Sequence, residues 1–200
     1  VPWDTEKTKT LLLEAAVEEF GEHGFAGSRI ERIGARAGVS NERIYRYFGN
    51  KVGLFEEALT GQLVSGLDDV RIVGSGADAV AAFAADYFDA SVRNPGLARL
   101  TAWEALERIT PVGLDRRRVR SSNKVAEITS ALPDLDRRDA EDLLLTIVVL
   151  VHSWTAGRNL GQIVTGDPDD NARRRNHIVA TVRAIVAIEL AASHPQTDRI

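Results

Sequence analysis

Cysteine is absent from these 200 residues. Its absence excludes a disulfide-stapled fold, a thiol nucleophile and cysteine-held zinc or iron–sulfur centres. Methionine is absent too, and because the chain opens at Val1 a natural N-terminus is expected to precede it. Long apolar runs are missing: the longest, Leu143 to Val151 with Thr146 inside it, is about half of what a bilayer span needs. No signal-peptide pattern opens the chain, so a cytoplasmic protein with no membrane partner is expected. His23, His152, His177 and His194 are scattered, with no HxxxH or HExxH pair and no acidic cluster at metal-ligand spacing. A GxSxG elbow and a phosphate-binding glycine loop are also lacking. No metal, no cofactor and no catalytic site is expected.

What remains is an ordinary globular composition, 44% hydrophobic and 27% charged, long enough for one or two domains. The formal net charge of −4 argues against a nucleic-acid binder until its distribution is considered. Residues 1 to 27 carry two lysines against six acids, whereas residues 28 to 51 carry Arg29, Arg32, Arg36, Arg43, Arg46 and Lys51 against Glu31 and Glu42. Phosphate attraction acts over a Debye length of about 10 Å, so a local positive patch suffices for binding.

The apolar periodicity is helical throughout. Leu12, Leu13, Ala16, Val17 and Phe20 form one stripe over Thr10 to Phe20, stopped near Gly21 to Gly24. Ser28 with Glu31 reads as a capping box opening a second helix, in which Ile30, Ile33 and Ala37 face inward until Gly38 closes it. Ser40 then caps a third, with Val39 and Ile44 as a hydrophobic staple and Ile44 and Phe48 on one face. Gly49-Asn50 ends this helix within about two turns. Two short helices joined by a glycine-containing turn are a helix-turn-helix, and the polar side of Asn41 to Tyr47 reads as a recognition surface for DNA. Asn50 caps a fourth helix expected to reach about Val73. Further helices are expected over Asp78 to Arg93, Pro95 to Arg108, Leu114 to Leu132 with a solvated arginine face, Asp136 to about Gly157, and about Asp169 to Ala192 with Arg173 to Arg175 outside. The helix from Asp136, apolar all round, should be buried all round. The fold class is all-α with about nine helices: a helix-turn-helix domain over residues 1 to 60, its boundary lying between 60 and 76, and a helical domain over 61 to 200.

The first 60 or so residues resemble the TetR family of bacterial transcriptional regulators. The likeness runs through Leu12-Leu13-x-Ala15-Ala16, Glu19-Phe20, Gly24-Phe25, Ser28, Ile33, Ala37-Gly38-Val39-Ser40, Ile44-Tyr45, Tyr47-Phe48 and Lys51. It implies a homodimer that binds a double-stranded DNA operator and a C-terminal bundle whose small-molecule effector controls DNA affinity. It also implies that Asn41 and Arg43 meet base edges, that Tyr45, Tyr47 and Lys51 meet phosphates or nearby bases, and that Ser28 and Arg29 meet phosphates. Ser40, as the cap of the recognition helix, belongs to the same surface. The chemistry agrees: arginine pairs with guanine, asparagine with adenine, and helix N-termini attract phosphate. Three positions depart from the family pattern. Glu42 is acidic where a small residue is usual, Gly34 replaces an alanine, and Tyr47 stands where histidine is common.

The second domain is less explicit. Tyr87, Trp103 and Trp154 fit plain core packing as well as a ligand cavity. Asp86, Glu104, Thr146 and His152 sit on or beside apolar stripes, where an unpaired polar group costs free energy, and with Tyr87 and Trp103 they make the candidate effector pocket. The dimer interface is expected as a four-helix bundle built from Leu143, Ile147, Leu150 and Trp154 with Ile178, Val182 and Ile185. A helical module that binds a protein partner without reading DNA is the competing reading.

Overall fold

A computed structural model describes residues 5–193, which places His194 outside the described residues. Among the described residues, ten α-helices and one π-helical turn account for the regular structure, and the chain divides into two compact units that are not contiguous in sequence. The first comprises residues up to Gly66 together with Pro95–Arg116; the second comprises Leu67–Asn94 and the chain from Arg117 onward.

In the first unit, α1 (Thr5–Gly27) buries Leu12, Ala15, Ala16 and Phe20 along one face. It begins earlier than the apolar stripe alone suggests and carries a break at Gly24, whose φ of 71° and ψ of 179° leave the helical region. A side chain there would meet the Trp103 ring at 2.8 Å, so only glycine fits the position. Against α1 lie α2 (Ile30–Ala37) and α4 (Lys51–Leu63), and α3 (Asn41–Phe48) packs on α2 and α4. The fourth helix stops ten residues short of Val73, giving way to the π-helical turn Val64–Asp68. The helix α6 (Gly96–Glu107), assigned from sequence order to the second domain, packs on α1 and α4 instead. Leu97, Leu100 and Val112 enter the same core as Phe20, Ile33, Ile44 and Phe55. Edge-on contacts of Phe55 with Phe20 and Phe25, at 5.0 and 5.5 Å between centroids, fill its centre. Each such ring contributes on the order of 2–3 kcal/mol by leaving water. Polar stitches complete the attachment: Trp103 Nε1 donates to the Gly21 carbonyl at 3.2 Å, and the Ala26 N–H donates to Glu107 at 3.0 Å.

The second unit is built on α5 (Gly76–Arg93), α7 (Leu114–Ala131, joining this unit from Arg117), α8 (Arg137–Ala156), α9 (Arg158–Thr165) and α10 (Asn171–Ser193). Its core unites Phe83, Tyr87 and Phe88 of α5 with Ile128 of α7, Leu143, Ile147 and Val151 of α8, and Ile178, Val182 and Val186 of α10. Asp136 caps α8 through the Asp139 N–H at 2.9 Å. The short α9 is an addition to the expected set and leaves α8 at 84°. The expectation that α8 is buried all round does not hold within the chain: Leu145 and Val149 are 60% and 55% exposed. Nor are the arginines of α7 merely solvated, since Arg116 pairs with Glu56 and Arg120 with Asp68. Of Arg173 to Arg175, only Arg173 is fully outside; Arg175 Nε pairs with both carboxylate oxygens of Asp89 at 2.9 Å. Among the described residues no single helix is long and apolar enough to cross a membrane.

Candidate functional site

The turn between α2 and α3 is set by Gly38, which is left-handed at φ 67° and ψ 31°. The Val39 N–H reaches back to the Gly34 carbonyl at 2.9 Å and Gly38 N–H to that of Ala35 at 3.4 Å, which satisfies the end of α2. Gly34 is more than a loosened helix position. A side chain there would meet the Val39 carbonyl oxygen at 2.7 Å and Asn41 Oδ1 at 2.8 Å, so its absence lets the turn close. Ser40 occupies the cap of α3 with extended backbone but makes no side-chain cap bond. The staple carries the start of the helix instead, because Val39 and Ile44 are both buried in the first core.

The expected capping box of α2 does not form. The cap position is Arg29, and Ser28, itself buried, turns its hydroxyl back to donate to the Phe25 carbonyl at 2.8 Å. Glu19, reaching across from α1, does what Glu31 was expected to do: its Oε1 accepts from the Arg29 N–H at 3.0 Å and from Arg32 Nε at 2.7 Å. Burial opposes ionisation of Glu19, yet the Arg32 hydrogen bond, the Arg29 N–H and the charges of Arg32 and His23 together hold its carboxyl below the ordinary value. Arg36 is likewise engaged, with Glu18 at 2.9 Å and Glu22 at 3.4 Å.

The outward side of α3 presents Ser40, Glu42, Tyr45 and Arg46 to solvent, Tyr45 at 48% exposure, with Asn41 and Arg43 half-exposed beside them. Arg29 is exposed at the head of α2. Tyr47 is divided between roles: it packs on the first core, meets Phe48 edge-on at 6.2 Å, and lies 6.0 Å from the Lys9 ammonium. Lys51 is half-buried, donates to the Ser28 carbonyl at 2.7 Å and sits 4.9 Å from the Phe25 ring centroid. Burial pushes its ammonium below the ordinary value, against the pull of Glu107 and Glu19. Of the expected DNA-facing set, the structure therefore brings Arg29, Ser40, Asn41, Arg43 and Tyr45 to the surface and commits Ser28 and Lys51 to internal bonds. Glu19 escaped sequence reasoning because its partners lie 10 and 13 residues away; a glutamate ending the apolar face of α1 was the available signal.

The residues expected to form the effector pocket are distributed over both units. Trp103 and Glu104 belong to the first unit, where buried Glu104 accepts from the Val112 N–H at 2.8 Å; Asp86, Tyr87, Thr146 and His152 belong to the second. Asp86 is exposed. Tyr87 and His152 do meet, at 2.6 Å between Oη and Nε2, inside the α5–α8 contact. Burial pushes the Tyr87 phenol up and the His152 imidazole down to about 4, so the pair meets as a neutral phenol and a neutral imidazole, whose tautomer sets which of the two donates. One turn on, Ser91 and Thr155 form a second buried polar pair at 3.1 Å.

The expected dimer-interface set also divides. Leu143, Ile147, Ile178 and Val182 are buried within their own chain. Leu150 and Ile185 are half-exposed, and Trp154 donates its indole N–H to Asn171 Oδ1 at 2.8 Å. The apolar surface facing outward from α8 and α10 is Leu145, Val149 and Ile188, the last 70% exposed.

Two family profiles match this chain. Residues 12–58 match the one described as bacterial regulatory proteins, tetR family, and residues 79–184 the one described as tetracyclin repressor-like, C-terminal domain. Among curated proteins, the HTH-type transcriptional repressor SCO4008 of Streptomyces coelicolor is 33% identical over 177 residues, covering 83% of this chain and 88% of the relative. The crystal structure of SCO4942 from Streptomyces coelicolor superposes with a TM-score of 0.71 at 27% identity, covering 89% of this chain and 97% of that one. The transcriptional regulator FadR of Bacillus subtilis, in complex with stearoyl-CoA, shares the fold with a TM-score of 0.63 at 19% identity, covering 88% and 98%.

Proposed function

This chain belongs to the TetR family of bacterial regulatory proteins and is a helix-turn-helix transcriptional regulator; from that premise we propose that it acts in the cytoplasm as a homodimeric repressor. A small molecule held in the second unit releases it from a palindromic operator. The observation that carries this reading is the outward face of α3. Its inner side is fixed by Ile44 in the first core, while Tyr45 is exposed and Asn41 and Arg43 are half-exposed beside it. Arginine and asparagine at base edges select guanine and adenine in the major groove, and Arg29 and Tyr45 fix the register on phosphates. Ser28 is left out of this set, and Lys51 supports the surface by tying the start of α4 to the end of α1.

The Leu145, Val149 and Ile188 surface, with Leu150 and Ile185 at its edge, is the dimer contact in this reading. A two-fold axis there places two recognition helices in major grooves about 34–36 Å apart. Effector binding favours the conformation that does not fit the operator, and a coupling of about 1–3 kcal/mol makes a useful switch. The stearoyl-CoA held by FadR supports a ligand role for a bundle of this fold. The reading is of a binding protein rather than an enzyme.

The test is a gel shift of the chain on DNA from its own upstream region. A specific complex that weakens with salt is expected, and Arg43→Ala should cost about 1–3 kcal/mol of specific affinity. Absence of any specific, salt-sensitive complex overturns the regulator reading in favour of a protein-partner module.

A further inference from the structure

Where α8, α9 and α10 meet, the second unit holds a cleft of about 460 Å³. Trp154 at the end of α8 and Arg173, Arg174 and His177 on the first turns of α10 line it, with Asp167 and Asp170 from the preceding connection. The acids are occupied locally. Asp170 Oδ1 accepts from the Arg173 N–H at 3.0 Å, and Asp167 Oδ1 accepts from the Asp169 N–H at 2.9 Å.

The arginines are not so matched. Their neighbours each hold a carboxylate: Arg158 with Asp169, Arg175 with Asp89, Arg183 with Asp78. Arg174 instead lies 5.7 Å from the Trp154 ring centroid, reaches the Leu150 carbonyl at 3.3 Å, and keeps a buried Nε with no hydrogen-bond partner. Arg174 as a whole is half-buried, so its guanidinium is in part open to a ligand while its buried Nε carries an unmade bond, which is costly, and a carboxylate matches a guanidinium fork with two parallel bonds. The Trp154 indole, fixed by its bond to Asn171, supplies a planar wall beside that charge. Guanidinium and indole planes both favour a flat π system over a flexible alkyl chain.

We propose that this cleft binds a small aromatic carboxylate, its carboxyl group on Arg174 and Arg173 and its ring against Trp154. The inference deepens the effector half of the proposed function and rests on that reading only for its biological use.

Calorimetric titration of the full chain with 2-naphthoate tests it, with 2-naphthamide and cyclohexanecarboxylate as comparison probes. Saturable binding of 2-naphthoate is expected, with both comparison probes weaker and the uncharged amide weaker by about tenfold or more. Arg174→Gln and Trp154→Leu should weaken the acid to a similar degree. Arg173→Gln alters an exposed side chain and guards against a loss caused by misfolding, and it too should bind the acid less tightly. The site is overturned if the wild-type chain does not bind 2-naphthoate, if the amide or cyclohexanecarboxylate binds as tightly, or if the arginine variants bind like the wild type. Operator binding in the gel shift is read separately. Failure there refutes the regulator and leaves the cleft standing; failure of the titration does the reverse.

Discussion

Glu19 has a fully buried side chain that holds two elements together by accepting from the backbone of one residue and the guanidinium of another. Glu19→Gln keeps the shape but weakens both bonds, and should lower the unfolding free energy by about 1–3 kcal/mol in a urea titration. An unchanged midpoint would show the network to be idle. The Tyr87–His152 pair makes a second prediction. The folded-state imidazole lies near 4 against an ordinary 6.5, so the unfolded chain binds the extra proton between those values. Stability is therefore full above about pH 6.5 and falls as pH drops toward 4, by about 3 kcal/mol in all. Urea midpoints of the wild type against His152→Gln across that window should diverge at neutral pH and converge toward acid; parallel curves would refute it. At this scale the sequence was legible where a side chain acts on its own helix, as Ile44, Asn50 and Asp136 do. It was silent where the partner comes from elsewhere, as with the Ser28 hydroxyl, which turns back to the Phe25 carbonyl rather than capping α2, and with the bond from Lys51 to the Ser28 carbonyl.

The helices themselves were legible because apolar spacing reports which side meets a core, and the helix-turn-helix was legible because Gly38, Val39 and Ser40 mark its turn. α9 was not, since Leu160, Ile163 and Val164 are exposed in the chain and so mark no buried side. The same ambiguity affected α8 and α10. An apolar residue facing its own core and one facing outward look identical in sequence, so spacing alone does not set Leu143 and Ile178, which are buried in the chain, apart from Leu145 and Ile188, which face outward. Glutamate at Leu145 and at Ile188 together should give monomers by light scattering and reduce operator affinity, because two half-sites are then no longer held by one particle. A dimer that survives this double substitution would remove the proposed contact from α8 and α10.

For the molecule as a whole, family and fold class were legible from the first 60 residues, and the distribution of the chain between its units was not. A boundary between residues 60 and 76 was expected from composition, but α6 is claimed by contacts such as Trp103 to Gly21, which span 82 positions. A fragment ending at Gly66 should accordingly lack a closed core and show weak helicity with no cooperative melt by circular dichroism, whereas a cooperative melt of that fragment would show a domain that closes without α6. The attachment of α6 also fixes an order of events during synthesis. The recognition helix leaves the ribosome early, but the core beneath it stays open until Leu97, Leu100 and Val112 have emerged. The nascent protein cannot grip an operator on the strength of its first 66 residues, so binding is deferred until Leu67–Asn94, the opening part of the second unit, has been made and the chain has passed Val112.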